Sequence, residues 1–294
     1  MESILNLLST KHPLALKHGA TVVTETEIGK QEAGLPEELT TSTSFPKKNV
    51  GIAPTPTTNK ADEVRVLTLA DYEDAAYSLA LAFWDDHSSR YFIHTPDRAH
   101  WTLKQKWDLH LKMMGYIVYA HLLKGLVVSA GEGYGCVALW MPPAQNMDDP
   151  LTLLRSGLWR LTYQLSPEGR TRFFTEFLPL LNHTKSSVLG PHKDTHSYYL
   201  VYIGTRPRAR GNGFARKCID AVTARADREG RACYLESSND VNRGIYGRMG
   251  FVLQREIFLQ RGGGEEGHVR LDIMVREPVG EEGEEGDADS GVDV

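Results

Sequence analysis

Polar and apolar positions divide the chain into a polar leader, a patterned body and an acidic end. From Thr21 to Lys60 the residues are mostly Thr, Glu, Pro and Lys, with Thr40-Thr41-Ser42-Thr43-Ser44 and Pro54-Thr55-Pro56 as low-complexity pieces. Such a stretch buries little, and residues 1 to about 60 are expected to form a disordered leader. Patterning begins at Glu63-Val64-Arg65-Val66-Leu67, whose alternation predicts a strand with one buried face. Thr68 then offers an N-cap, with Asp71 three residues on as a capping-box acid, before a helix carrying Ala75, Leu79, Leu81 and Phe83. His87 to Thr95 is polar and aromatic and reads as a loop. Pro96 to about Met114 reads as a second helix, with Trp101, Leu103, Trp107, Leu111 and Met114 near helical spacing. Ile117 to His121 either continues that helix or begins a strand. Gly125 to Ala130 and Gly135 to Met141 flank Gly131-Glu132-Gly133-Tyr134, a hairpin signal. Pro142-Pro143 ends its second strand, because proline cannot donate to a ladder.

Met147 to Gly190 reads as helical. Leu151, Leu154, Leu158 and Leu161 fall on one face, and Phe173, Phe174, Phe177, Leu180 and Leu181 on another. Strand returns at Ser197 to Ile203, helix at Gly211 to Glu229, strand at Ala232 to Glu236 and a short helix at Asn242 to Met249. Phe251 to Leu259 and Val269 to Val275 close as a hairpin around Gly262-Gly263-Gly264. The order β-α-α-β-β, helical insert, β-α-β-α-β-β predicts an α/β domain with a mixed sheet flanked by helices, over residues 61 to 278. No internal repeat is visible.

Composition changes this picture in two places. The net charge of −5 is deceptive, since Glu281 to Val294 holds seven acids and no base, and without those seven charges the rest carries +2. A body so weakly charged argues against a dedicated nucleic-acid surface. The end of the chain, 279 to 294, reads as a solvating, disordered tail. No apolar run reaches the roughly 18 residues a membrane span needs. The three cysteines, Cys136, Cys218 and Cys233, have neither metal-ligand nor redox-motif spacing, which fits a reducing compartment. With no secretory signal at Met1 to Ser9, the expected location is cytoplasmic, with nuclear entry open. His94, His100 and His110 have no matched metal spacing, so no metal is expected.

The chemistry concentrates between Tyr198 and Phe251. An apolar strand feeds Arg210-Gly211-Asn212-Gly213-Phe214-Ala215, a glycine-rich turn that opens a helix. Such a turn points backbone N–H groups and the positive end of a helix dipole at one spot, which suits a pyrophosphate. The spacing Arg-x-x-Gly-x-Ala, filled by Arg210, Gly213 and Ala215, resembles the acyl-CoA signature of the GCN5-related N-acetyltransferases (GNAT). Tyr246 to Phe251 resembles that family's C-terminal signature. His192-Lys193, Leu235-Glu236-Ser237-Ser238, Asn242 and Val137-Ala138-Leu139-Trp140 look most like its puromycin-type, small-molecule members. The resemblance implies the GNAT fold, acetyl-CoA as cosubstrate, and N-acetyl transfer.

It also implies roles residue by residue. Gly211, Asn212, Gly213, Phe214 and Ala215 would hold the pyrophosphate, with Arg210 and Arg216 adding charge. The pantetheine arm would pair with the splayed strand edge at Val201, Tyr202, Ile203 and Thr205. Tyr246 would protonate the departing thiolate. Glu236, at the end of its strand, faces the groove where an amine arrives and can take its proton or anchor the cation. Asn242 either hydrogen-bonds the cofactor or caps the helix bearing Tyr246. His192-Lys193 reads as an exposed loop or a basic loop at the phosphates. Tyr91-Phe92 and the insert are candidates for the acceptor pocket, whereas Trp140, Trp159, Tyr163 and Phe174 read as core. With no activated thiol, transfer is expected to be direct. Three functions stay open: an acetyltransferase acting on a small-molecule amine, one acting on a protein lysine or N-terminus, and a non-catalytic acyl-CoA sensor. Intact Arg210, Gly213, Ala215, Glu236 and Tyr246 count against the last.

Overall fold

The protein is described here as a computed structural model that covers residues 63–260 and 268–280. The leader, nearly all of the acidic tail and the Gly262–Gly264 turn lie outside the described residues.

Seven strands form one mixed sheet in the order β1-β2-β3-β4-β5-β7-β6. They are β1 (Arg65–Val66), β2 (Leu126–Ala130), β3 (Cys136–Met141), β4 (Tyr198–Thr205), β5 (Cys233–Ser237), β6 (Val252–Gln260) and β7 (His268–Arg276). Only β4 and β5 run parallel; every other neighbouring pair is antiparallel. Between β1 and β2 lie α1 (Tyr72–Phe83), α2 (His87–Ile93) and α3 (Leu103–Lys124). The insert between β3 and β4 holds α4 (Pro150–Ser156), α5 (Leu161–Gln164), α6 (Pro167–Arg170), a π-helical stretch (Thr171–Phe177) and α7 (Leu178–His196). α8 (Phe214–Arg228) makes the crossover from β4 to β5, and α9 (Asp240–Gly247) leads to β6.

Two cores lie on the two sheet faces. One packs α1, α2, α3 and the insert on Leu139, Tyr234, Leu271 and Ile273. The other packs α8 and α9 on Trp140, Tyr198, Leu200 and Leu235, with Cys218, Ile219 and Tyr246 from the helices. The helix α1 sits directly on β4 because Gly204 has no side chain: a Cβ there would lie 2.7 Å from Ala82 Cβ. That contact brings Phe83 edge-on to Tyr202, ring centroids 5.1 Å apart. Arg276 of β7 forks onto Asp227 of α8 at 2.6 and 2.7 Å, a bidentate charge-assisted pair that ties the crossover helix to the sheet.

Several sequence expectations hold and several fail. The Thr68–Asp71 capping box forms, with Thr68 N–H donating to Asp71 Oδ2 at 2.8 Å, but it caps a short 3₁₀ turn ahead of α1. His87 to Thr95 is not simply a loop. Asp86 Oδ1 accepts from the Ser88 and Ser89 N–H groups, and this cap starts α2 on a run with little apolar periodicity. The second helix starts later and runs further than expected, because a Thr102–Gln105 capping box sets its start and Ile117 to His121 continue it. The insert is helical as expected, in several pieces broken at Gly157, whose φ is +81°, and near Ser166. Leu151 and Leu154 do not share a buried face with Leu161: they are 61% and 63% exposed, and Leu153 is the residue that packs. Trp159 and Tyr163 are exposed rather than core, their rings tilted against each other with centroids 5.6 Å apart. His192 and Lys193 close α7 after a kink at Gly190 and are not in a loop. No described helix is long and apolar enough to cross a membrane.

Candidate active site

The parallel ladder between β4 and β5 has only three pairs, Tyr198↔Cys233, Tyr199↔Tyr234 and Leu200↔Leu235. Beyond them β4 continues to Thr205 bonded to β3, while Glu236 and Ser237 of β5 pair with Ile273 and Asp272 of β7. The cause is local. Trp140 pairs with Leu200 but Leu139 pairs with Tyr202, so Val201 is an extra residue, and such a bulge bends its strand away. Opposite β3, the backbone of Val201, Tyr202, Ile203 and Thr205 therefore faces a gap, with hydrogen-bonding groups turned into it.

The glycine turn lies just past the open end of β4. Gly211 and Gly213 have φ of +83° and +72°, the left-handed region, and nothing stands within 4 Å of where a Cβ would be. The first bond back along α8 is Lys217 N–H to Gly213 C=O at 3.1 Å. The N–H groups of Phe214, Ala215 and Arg216 thus have no acceptor within the helix, and no side chain caps them. Asn212 Nδ2 donates to the Ala209 and Arg210 carbonyls at 3.2 and 3.3 Å and stiffens the turn. Arg210 reaches back to the Thr205 carbonyl at 3.4 Å, and Arg216 forms an exposed pair with Asp220. An open, glycine-lined concavity with unbonded N–H groups fits the pyrophosphate of a CoA ester.

Glu236 stands at the mouth of the gap, on the face covered by α1, α2 and the insert, as its strand neighbour Tyr234 does. Burial pushes its carboxyl up from the ordinary 4.5 to about 7. The hydroxyls of Tyr199 and Tyr234 and the charge of Lys185 pull the other way. The hydroxyls lie beside the carboxyl without closing a bond on every site: Glu236 Oε1 and the Tyr234 hydroxyl are both buried and, among the described residues, unpartnered. Tyr199 and Tyr234 pack edge-on at 5.4 Å, and Lys185 Nζ of α7 lies 5.8 Å from the Tyr199 ring centre while bonded to Asp194 at 2.6 Å.

Tyr246 lies on the opposite sheet face, on α9, packed edge-on against Phe251 at 6.1 Å. It is 8% exposed and its hydroxyl has no hydrogen-bond partner among the described residues. Burial raises its phenol well above the ordinary range, so it stays protonated at any physiological pH. The cap of α9 is Asn239, whose Oδ1 accepts from Val241 N–H at 2.9 Å, which leaves Asn242 without the capping role.

Two features escaped the sequence. Asp86 reaches the same groove, where Ser238 Oγ donates to its Oδ2. Tyr199 and Tyr202 line the groove on side chains, not only through backbone. Tyr91 and Phe92, by contrast, are buried core; Tyr91 donates to Glu176 at 2.7 Å and is not pocket lining. The cysteines are all buried: burial raises Cys233 to about 12, and the Cys136 thiol raises that of Cys218 while itself being lowered by it. Buried His110 bonds the Ala80 carbonyl and is pushed down to about 4, a neutral structural group. No cluster of metal ligands occurs among the described residues. A surface cleft of about 510 Å³, lined by Lys124, Arg225, Glu229 and Arg231, lies at the far end of β4 from Thr205, against Tyr198, and is not part of the groove.

Comparison with known proteins gives the family. Residues 181–251 match the model of the acetyltransferase (GNAT) family. An uncharacterized N-acetyltransferase of Schizosaccharomyces pombe is 48% identical over 208 residues, 71% of this chain and 80% of that protein. This chain belongs to the GNAT acetyltransferase family. It is an acetyltransferase, and GNAT enzymes take their acetyl group from acetyl-CoA. Among solved structures, the histone acetyltransferase HPA2 and related acetyltransferase of Corynebacterium glutamicum aligns at 22% identity and a TM-score of 0.45, over 76% of this chain and 99% of its own. Arylalkylamine N-acetyltransferase 2 of Aedes aegypti aligns at 17% and 0.47, over 73% and 98%. The GNAT matched region runs from α7 through the β4–β5 gap to the Tyr246–Phe251 turn.

Proposed function

We propose that this GNAT enzyme transfers acetyl from acetyl-CoA to a primary amine on a small molecule, by direct attack. The observation that carries the reading is Glu236: a buried carboxyl with an unpartnered oxygen, at the mouth of the β4–β5 gap, walled by Tyr199, Tyr202 and Tyr234. Such a wall under α2 and the insert suits a compact amine better than an extended chain.

Bound acetyl-CoA supplies the acetyl group as a thioester. Phe214, Ala215 and Arg216 N–H groups and the turn Arg210–Gly213 would hold its pyrophosphate, and the free edge Val201–Thr205 its pantetheine arm. A free alkylamine has a pKa near ~10.4 and arrives mostly charged. Glu236 first pairs with that cation and then receives its proton, directly or through water, which frees the attacking lone pair. An acid near 7 is poised for this work at neutral pH. Backbone N–H groups near Ile203 can stabilise charge building on the thioester oxygen. Tyr246, held protonated by burial, donates to the departing sulfur. Asn242, at the third position of α9, is left to bond the cofactor.

The test is release of free thiol from acetyl-CoA against a panel of small primary amines and of basic peptides. The reading expects turnover with small amines at kcat/KM well above that of any peptide. Turnover confined to peptides would replace it with the protein-acetylating reading, and none at all with the sensor.

A further inference from the structure

The groove contains a second acid that direct acetyl transfer does not use. Asp86 sits at the start of α2, and Ser238 Oγ donates to its Oδ2. Ser238 follows Glu236 by two residues, so the two acids stand close at the open end of β5. Tyr202 belongs to the same sheet face, packed edge-on against Phe83. Its phenol is raised first by burial and then by the negative charges of both Asp86 and Glu236. Neither acid is in a salt bridge among the described residues. Lys185 faces Glu236 but is already held by Asp194, and exposed His87 is the cation-capable neighbour of Asp86. On the remaining sides stand phenols: Tyr199, Tyr202 and Tyr234. Fully buried Tyr234 keeps an unpartnered hydroxyl against Glu236. Half-buried carboxylates without countercharges are costly, and such a pair is stabilised by cations delivered from outside.

We propose that the acceptor is dibasic: its reacting amine docks at Glu236 and a second cationic group at Asp86, which makes Asp86 a specificity-determining residue. The proposal rests on the small-amine reading above and names its substrate class. Asp86 Oδ1 is occupied by the Ser88 and Ser89 N–H groups, whereas among the described residues Oδ2 accepts only from Ser238. A carboxylate oxygen has two lone pairs, so Oδ2 keeps one for an incoming ammonium or guanidinium.

Capping and recognition can be separated. Asparagine caps helices about as well as aspartate, so Asp86→Asn keeps α2 and removes only the charge. The experiment measures Kd by calorimetry for linear α,ω-diamines and for n-alkylamines of equal carbon number. It uses the full chain with saturating CoA, in the wild type, Asp86→Asn and Glu236→Gln. The wild type is expected to bind the best diamine about tenfold or more tightly than its matched alkylamine. Asp86→Asn should shrink that ratio to about twofold or less while its Tm stays close to the wild type, and Glu236→Gln should weaken both ligands. Equal affinities in the wild type, or a diamine preference that survives Asp86→Asn, would overturn the proposal. A parallel free-thiol assay separates the two claims. Diamine preference without any acetylation sinks the transfer reading alone, and acetylation of both amines with no preference sinks only the dibasic acceptor.

Discussion

Leu200 and Leu235 form the last pair of the sheet's one parallel ladder, and the groove begins where that pair ends. Past it the extra residue Val201 turns β4 aside, while β5 stays with β7. Glu236 lies on the sheet face under α1, α2 and the insert, and Tyr246 on the face under α8 and α9.

The phosphate cradle can be blocked without disturbing the core. A Cβ at Gly213 would meet nothing within 4 Å, and the left-handed backbone there costs about 1–2 kcal/mol. Gly213→Trp should therefore fold, with a modestly lower Tm. Acetyl-CoA should raise the wild-type Tm by mass action and leave that of the variant unmoved. An equal rise in both would place the cradle elsewhere.

Glu236 should cost stability. Its folded pKa is about 7 against an ordinary 4.5, so the folded state holds the proton more tightly. Below pH ~4.5 both states are protonated and there is no penalty. As pH rises towards 7 the unfolded chain ionises first and folding weakens; above 7 the penalty is complete. Glu236→Gln should raise Tm by a few degrees at pH 8.5 and hardly at all at pH 4. A Tm lowered at pH 8.5 would mean that the carboxylate is structural.

Tyr246→Phe removes a hydroxyl that holds nothing together. Its Tm should match the wild type, kcat should fall, and the Kd for acetyl-CoA should stay the same. Full kcat would remove Tyr246 from the chemistry.

Direct transfer makes the thiols dispensable. Cys136, Cys218 and Cys233 are buried, and the one carboxylate that acts on any of them, Asp227 near Cys233, is held in its pair with Arg276. A folded triple Cys→Ala variant should keep its turnover, and mass spectrometry after acetyl-CoA alone should find no acetylated enzyme. Loss of turnover in the folded variant would point to an acyl-enzyme.

The sequence disclosed the parts of this site that are local. Thr68-x-x-Asp71, the Gly131–Tyr134 hairpin and the Gly211–Gly213 turn are read from a few adjacent residues, and each lies where expected. Glu236 and Tyr246 fall on the elements expected for them, one near the end of β5 and the other on α9. Asp86 was not legible, because it reaches the groove through Ser238, 152 residues away. α2 was missed because its start depends on a side-chain cap rather than on apolar period. In the insert the period misled: Leu151 and Leu154 keep helical spacing with Leu161, but the breaks at Gly157 and Ser166 rotate each short helix onto a new face.

The central claim, that Glu236 receives the acceptor's proton, is tested most directly by the pH dependence of kcat/KM on the best small amine. The wild-type profile should climb through an acid limb near 7, where Glu236 ionises. Glu236→Gln should lose that limb and fall in kcat by roughly 10² to 10⁴, the usual range for a general base. A variant that keeps wild-type kcat and the same acid limb, with or without a higher KM, would contradict the claim.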